Sequence, residues 1–192
     1  MLRHPRNAVI VAALCSLFAG RGWAESGDFK DVIAAATLDF AGTGQQDRAV
    51  LVQSQSDTAD LYLYMPSDAT VPSSLKLVQV VRGVVSSGRS WGQIASLAVS
   101  ARGTLLVKSG NESVGRDRWT QTLTVVYRNK NFVIGGITRT SRDTLDPNSS
   151  GKCDLNLLTG KGTRNGSPVA GKLAPLRLAD WSDDKLPQEC QF

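Results

Sequence analysis

Histidine is almost absent from this sequence, and the single one, His4, lies close to the N-terminus. Ser-His-Asp and Cys-His nucleophilic catalysis both require an imidazole as the base. The usual zinc sites need histidine or several free thiolates. Beyond its first few residues, the chain therefore lacks the side chains for either kind of chemistry, and we expect that it is not an enzyme.

The sequence also lacks an apolar run long enough for a comfortable membrane span. Its one apolar run, residues 8–19, lies between a basic N-terminus and the small residues Gly22 and Ala24. A basic start, an apolar core and small residues at the positions that signal peptidase reads predict a secretory signal peptide over residues 1–24. We therefore expect a periplasmic or secreted protein that begins at Glu25 and has no integral membrane segment.

Excess charge is the third feature that the mature chain would lack. The sequence has 22 basic and 17 acidic side chains, which gives a net charge of +5. Three of the basic residues, Arg3, Arg6 and Arg21, lie in the predicted signal peptide, which contains no acid. Removing them from the 22 leaves 19 basic against 17 acidic side chains. Nucleic-acid binding needs a concentrated basic face, so we expect no nucleic-acid partner.

Cysteine is scarce, with three residues in the chain, of which Cys15 falls within the predicted signal peptide. The other two are Cys153 and Cys190, which are too far apart in sequence to form a C-x-x-C redox motif. In an oxidising compartment, a remaining pair of cysteines is most simply a disulfide. The sequence therefore predicts a Cys153–Cys190 disulfide.

Short strand-like segments fill most of the chain, and the clearest pair lies in its second half. Residues 119–127 alternate in polarity, residues 128–131 form a polar turn, and residues 132–140 return. The adjacent Gly135 and Gly136 in the returning segment predict a bulge or the close approach of another backbone.

One segment has helical rather than strand-like spacing. Residues 26–36 begin with capping residues and carry apolar side chains on one helical face: Phe29, Val32, Ile33 and Ala36. The expected fold is therefore mainly β, a single compact antiparallel β domain over residues 25–192. We expect this domain to be sandwich-like or barrel-like, with one short N-terminal helix.

A glycine-containing loop precedes one of the predicted strands. Gly42 and Gly44 lie between Asp39 and Asp47. Two glycines one residue apart allow positive φ and a tight turn. The carboxylates at the two ends can cap backbone N–H groups or face a cation.

This loop resembles the FG-GAP repeat of integrin-type propellers, whose loop reads D-x-[DN]-G-[DN]-G-x-x-D before a strand. Both aspartates and both glycines match, whereas Ala41 and Thr43 replace the third and fifth positions, which supply calcium ligands in the family. The resemblance implies a conserved turn, with Asp39 and Asp47 as the remaining ligands of an altered Ca²⁺ site, so we expect no cofactor. Because the motif occurs once and no longer repeat is present, a propeller is not expected. More broadly, the chain resembles a family of small bacterial periplasmic proteins that carry one such loop.

Two further groups of residues are candidates for function. Trp91, Arg116 and Arg118 combine aromatic and cationic side chains, as binding surfaces do, although Arg118 also suits the start of an ordinary strand. Asp143 and Asp146 lie close together, and a carboxylate pair is what glycan hydrolysis requires. Such aspartates also commonly cap turns.

The expected function is that of a non-catalytic exported envelope protein, a binding module for a protein or another envelope component. Two alternatives stay open. One is a periplasmic inhibitor or immunity protein directed against a hydrolase. The other is a glycan hydrolase that uses Asp143 or Asp146.

Overall fold

The structure is a computed structural model that describes residues 31–54, 56–68, 71, 74–169 and 173–192. The predicted signal peptide, residues 1–24, lies outside this part of the chain. The described strands are β1 (Val32–Leu38), β2 (Asp47–Gln53), β3 (Thr58–Pro66), β4 (Leu75–Ser86), β5 (Ser96–Val99), β6 (Leu105–Asn111), β7 (Asp117–Arg128), β8 (Asn131–Asp143), β9 (Ser150–Asn156), β10 (Lys161–Arg164), β11 (Ser167–Pro168) and β12 (Leu176–Arg177). Three single-turn 3₁₀ helices follow at Leu178–Asp180, Asp183–Lys185 and Gln188–Cys190.

The strands form two antiparallel sheets, which confirms the expected mainly β fold. The first sheet has the order β1-β2-β3-β4, and the second has the order β11-β10-β9-β8-β7-β6-β5, with β12 also paired to β8. Neighbours in sequence are neighbours in space, as expected for chains joined by short turns. Within the described ranges, neither sheet closes into a barrel.

Alternating side chains of both sheets meet in one hydrophobic core. Leu61 and Leu63 of β3 contribute to it from the first sheet, and Leu123 and Val125 of β7 from the second; all four are fully buried. The residues that alternate with Leu123 and Val125 in β7 are mostly threonines on the opposite face. This period of two is the pattern by which a strand buries one face and exposes the other.

The C-terminal segment, residues 178–192, packs against this core and is covalently linked to it. Trp181 is buried and donates its indole Nε1–H to the backbone oxygen of Val84 in β4, at 2.9 Å. Cys153 of β9 and Cys190 form a disulfide with a Cα–Cα distance of 5.2 Å, as the sequence predicts, and both are fully buried.

The expected helix over residues 26–36 is wrong for the part that the structure describes. Val32, Ile33 and Ala36 lie in β1, which pairs with β2 from Val32 opposite Val52 to Leu38 opposite Asp47. A short isolated helix is marginal in water, and β-branched residues favour strands. Pairing with β2 satisfies the backbone and places this segment on a sheet edge. Residues 26–30 lie outside the described ranges.

The predicted irregularity at the glycine pair of β8 is present. The register between β7 and β8 shifts because Thr124 faces Gly136 and Val125 faces Ile134, which leaves Gly135 as an extra residue. A Cβ on Gly135 would lie 3.2 Å from the side chain of Leu158. The glycine therefore permits both a β-bulge and close packing.

The second sheet has two ends with different connections. At the end that we call the loop end lie three loops, residues 87–95 between β4 and β5, residues 112–116 between β6 and β7, and residues 144–149 between β8 and β9. The opposite end, the turn end, carries the tight β7–β8 turn at residues 129–130. The twelve residues of β7 separate the two ends by roughly 36 Å at 3.3 Å per residue. Among the described residues, no helix is long and apolar enough to cross a membrane.

Candidate functional site

The predicted glycine loop joins β1 to β2 as a turn capped by its own carboxylates. Asp39 accepts hydrogen bonds from the backbone N–H groups of Thr43, at 3.0 Å, and Gly44, at 2.6 Å. Gly42 and Gly44 have φ values of +68° and +79°, the left-handed conformation that glycine adopts without strain. The N–H groups lower the pKa of Asp39, with Gly44 making the largest contribution.

Asp47 closes the same turn from a different environment. Its side chain is buried and accepts a hydrogen bond from the backbone N–H of Phe40 at 2.6 Å. Burial raises the pKa of this carboxyl, and the nearby charge of Asp39 acts in the same direction. The two aspartates thus accept hydrogen bonds from backbone N–H groups, and these bonds account for the turn without a bound cation. Among the described residues, no group of three or more acidic, cysteine or histidine side chains is placed to hold a metal ion.

The glycine loop lies at the turn end of the molecule. The ring of Phe40 packs edge-on against that of Phe132, with centroids 4.9 Å apart, and Phe132 follows the β7–β8 turn. The structure therefore separates Asp39 and Asp47 from the predicted binding residues Trp91, Arg116 and Arg118, which lie at the loop end.

At the loop end, hydrogen bonds hold the three loops together. The backbone N–H of Glu112 donates to the oxygen of Gly92 at 2.9 Å, which joins the first loop to the second. The backbone N–H of Thr144 donates to the oxygen of Arg116 at 3.0 Å, which joins the second loop to the third. The three loops therefore form one continuous surface.

Four large apolar side chains are exposed in these loops, Ile94 among them at 53%, and we call three of them, one from each loop, the apolar tip. Trp91 is 84% exposed, Leu145 75% and Val114 50%. Each lies in a different one of the three loops. Isolated exposed apolar residues are ordinary on protein surfaces, whereas several on adjoining, hydrogen-bonded loops make the loop end a candidate interaction site.

Charged side chains lie in and beside the same three loops, and their contacts link the predicted surface residues Trp91, Arg116 and Arg118. Arg116 donates its Nε–H to Asp143 at 2.7 Å and forms an ion pair with the same carboxylate. Arg118 of β7 lies opposite Arg142 of β8, whose guanidinium pairs with Glu112 at 3.0 Å. Glu112 is the residue whose N–H binds the Trp91 loop, so the predicted residues belong to one connected region.

Several polar atoms at the loop end are buried without partners. Five buried side-chain nitrogen or oxygen atoms in the described part of the chain lack a hydrogen-bond partner. Four of them belong to residues 109–118: Ser109 Oγ, Glu112 Oε1, Ser113 Oγ and Arg118 Nη1. Buried polar groups are normally satisfied, so their concentration in the segment that contains Val114 sets the loop end apart from the rest of the described chain.

The aspartates considered for glycan hydrolysis cap the third loop. The hydrogen bond from Arg116 is the main cause of a lowered pKa at Asp143, whose carboxylate also accepts the N–H of Leu145 at 2.8 Å. Asp146 accepts the N–H of Asn148 at 3.0 Å. A general acid in glycan hydrolysis needs a raised pKa, so the environment of Asp143 favours the opposite protonation state.

A polar pocket of about 450 Å³ lies beside the loop end, on the face of the second sheet that also carries the core. It is lined by Asp117, Trp119, Arg139, Ser141, Asp143, Asn148, Ser149, Ser150, Arg164, Asn165 and Phe192. The guanidinium of Arg139 lies 4.6 Å from the ring centre of Trp119, and that of Arg164 lies 4.9 Å from the ring centre of Phe192. Two cation–π pairs therefore form part of its wall.

The sequence pattern predicted neither this pocket nor the full apolar tip. Val114 and Leu145 are isolated apolar residues in polar segments, and Arg139 and Arg164 lie in different strands. The alternation of β7 and β8 could have shown that Trp119 and Arg139 point to the same face. Their meeting with Phe192 depends on the disulfide that holds the C-terminal segment.

No family model, no curated protein and no solved structure matches this chain. What the loop end can do therefore follows from its own geometry and chemistry.

Proposed function

We propose that the mature chain is an exported, non-catalytic binding module that docks a protein partner in the cell envelope through its loop end. The apolar tip carries this proposal: Trp91, Val114 and Leu145 are exposed on three loops that hydrogen bonds join into one surface. Tryptophan is enriched among the residues that dominate binding energies, and arginine commonly accompanies it.

The charges at the loop end indicate what kind of partner would fit. Residues 87–95, 111–118 and 142–149 contain four arginines and four acidic residues. With no net charge of either sign, this surface would gain little from long-range electrostatic attraction. Apolar contact should therefore dominate, and we expect a partner with an apolar cleft that receives Trp91.

The same docking surface is compatible with the alternative function predicted from the sequence, a periplasmic inhibitor of a hydrolase. If the partner is a hydrolase whose cleft receives Trp91, binding would block its activity. Inhibition of the captured partner would therefore identify the chain as an inhibitor, whereas an unaffected partner would indicate a docking or scaffolding role.

Site-specific photocrosslinking in intact cells tests the docking surface. A photoreactive phenylalanine derivative placed at Trp91 or Leu145 should capture the same protein, because the two positions belong to one surface. The matched control places the same group at Lys130, an exposed residue of the turn end. Trp91→Ala should also abolish capture from position 145. Different products at positions 91 and 145, or the same product from position 130, would contradict the proposal.

Export has a separate test. Because Ala24 closes the predicted cleavage signal, we expect the intact mass of the protein purified from the periplasm or medium to correspond to a chain beginning at Glu25. A species that retains Met1, or one that carries a lipid on Cys15, would contradict the predicted processing.

A further inference from the structure

We propose that the polar pocket binds a small hydroxylated organic anion, whose carboxylate or phosphate group is held by the guanidinium of Arg139. This site is distinct from the apolar tip, and the proposal does not depend on the function proposed above. It rests on how Arg139 is held, on the second cation in the pocket wall, and on the polar groups between them.

Arg139 is a fixed cation that has most of its hydrogen-bond donors unused. Its side chain is partly buried and stacked on Trp119, and Nη1 donates to Oε1 of Gln121 at 2.9 Å. Within the described residues, no carboxylate lies at ion-pair distance from it, so its other N–H groups are available to a ligand. Arginine presents five donors in a planar fork that matches carboxylate and phosphate oxygens.

A partly buried chain of hydrogen bonds determines the position of this guanidinium. Gln121 is 2% exposed and donates Nε2–H to Asp183 at 3.2 Å. Asp183 in turn accepts a hydrogen bond from Ser86 Oγ at 3.0 Å. Arg139 is therefore oriented before any ligand arrives, which lowers the entropic cost of binding.

The electrostatic surroundings also favour an incoming anion. Burial lowers the pKa of Arg139, and the charge of Asp183 offsets part of this effect. A partly desolvated cation without a contacting counter-ion is unfavourable. A bound oxyanion would supply the missing charge through short, charge-assisted hydrogen bonds.

Arg164 supplies the second positive charge and is held by the C-terminal segment. Its Nη1 donates to the backbone oxygen of Gln188 at 2.8 Å, and its Nη2 donates to that of Gln191 at 2.9 Å. These acceptors are neutral, so the guanidinium keeps its full charge. Cys190 lies between the two acceptor residues in sequence, and its disulfide with Cys153 holds this wall of the pocket in place.

The remaining lining explains why the ligand should carry hydroxyl groups. Two carboxylates line the pocket, but Asp143 is occupied by Arg116, which leaves Asp117 as an exposed acceptor. Serine hydroxyls and asparagine amides provide further donors and acceptors. A sugar acid or a sugar phosphate combines an oxyanion with several hydroxyl groups, and either fits this chemistry.

Titration of the disulfide-intact mature protein tests the proposal. The probes are glucuronate, glucose 6-phosphate, inorganic phosphate and glucose, at constant ionic strength, followed through the indole N–H signals of the tryptophans in an NMR spectrum. Trp119→Phe identifies the signal of interest. We expect saturable shifts of the Trp119 signal with at least one of the two sugar anions, and none with glucose. Comparison of the two dissociation constants shows whether the site prefers a carboxylate or a phosphate group.

Variants link this binding to the proposed residues. Arg139→Gln should lower the affinity for the more tightly bound sugar anion by about ten- to hundredfold, as expected for the loss of hydrogen bonds to a charged group. Arg139→Lys, which keeps the charge without the planar fork, should lie between this variant and the wild type. Arg102→Gln, which removes an equal charge from an exposed position at the turn end, should have no effect. Equal binding of glucose, no saturable shift with either sugar anion, or unchanged affinity in both Arg139 variants would overturn the proposal.

Discussion

Substitution of Gly44 tests whether the capped turn between β1 and β2 depends on backbone conformation alone. Gly44 has φ of +79°, and a Cβ built there would meet no atom within 4 Å. Its N–H donates to Asp39 and is retained in every variant. The cost of a side chain at this position is therefore conformational, with no steric contribution from neighbouring residues.

The expected cost depends on how each residue tolerates the left-handed region. Alanine at Gly44 should destabilise the fold by about 1–2 kcal/mol, because the left-handed conformation brings Cβ too close to the following carbonyl. Valine should reach about 2–3 kcal/mol, because β-branched residues are rarely found there, whereas asparagine should cost less than alanine. For a domain of this size, each kcal/mol lowers the melting temperature by about 2–4 °C.

Thermal and urea unfolding of the wild type and the three Gly44 variants measures this series. Ala41→Val is the matched control, because Ala41 is an exposed residue of the same loop with no positive φ, and its effect should stay within about 0.5 kcal/mol. A Gly44→Val variant as stable as the wild type would refute the reasoning. A Gly44→Asn variant destabilised as much as Gly44→Val would refute it as well.

The same melts distinguish a structural turn from a calcium site. Because the carboxylates of Asp39 and Asp47 accept backbone N–H groups, we expect neither chelator nor calcium to change the melting temperature. A ligand that binds the folded state must raise its stability, by about 2.7 kcal/mol at a hundredfold excess over the dissociation constant. A calcium-dependent rise of several degrees that Asp39→Asn abolishes would show that the loop binds the metal.

Three further predictions concern stability. Reduction of the Cys153–Cys190 disulfide, which spans 37 residues, should cost about 4 kcal/mol by loop-closure entropy, and an unchanged urea midpoint after reduction would contradict this. Burial raises the pKa of Asp47 in the folded state. The stability that its protonated carboxyl contributes is therefore fully present below the unfolded pKa of about 3.9 and is lost as the pH rises through the folded pKa. Unfolding measured across a pH series should show that Asp47→Asn loses less stability than the wild type between these two pKa values. Trp181→Phe should cost about 1–3 kcal/mol, because it leaves the buried oxygen of Val84 without its donor, and circular dichroism during guanidinium unfolding should detect the loss.

The parts of the fold that local sequence predicts are those in which one physical requirement dominates. The β7–β8 hairpin follows from alternation around a polar turn, and its bulge follows from the adjacent Gly135 and Gly136. The disulfide follows from counting, because Cys153 and Cys190 are the two cysteines outside the predicted signal peptide. In each of these cases, nearby residues or simple counting provide the information.

The first strand shows where this approach fails. The spacing of Val32, Ile33 and Ala36 fits one face of a helix, but the segment pairs with β2 instead. The spacing of a few apolar residues contains no information about the stabilisation that pairing with a neighbouring strand provides. That stabilisation comes from tertiary structure. The candidate site was similarly inaccessible, because Trp91 and Leu145 are far apart in sequence and come to the same end of the sheet only through the pairing of β5 to β8.

The two ends of the molecule differ in how fully their polar groups are satisfied, and this difference favours the loop end as the functional surface. At the turn end, Asp39 and Asp47 accept backbone N–H groups, and Phe40 packs against Phe132. At the loop end, Trp91 is almost fully exposed, and residues 109–118 contain four of the five unpartnered buried polar atoms among the described residues. A fold selected for stability alone would be expected to satisfy both ends equally. The unsatisfied groups lie in or beside the loops that carry the exposed apolar side chains, and this contrast supports the proposal that the loop end is a binding surface.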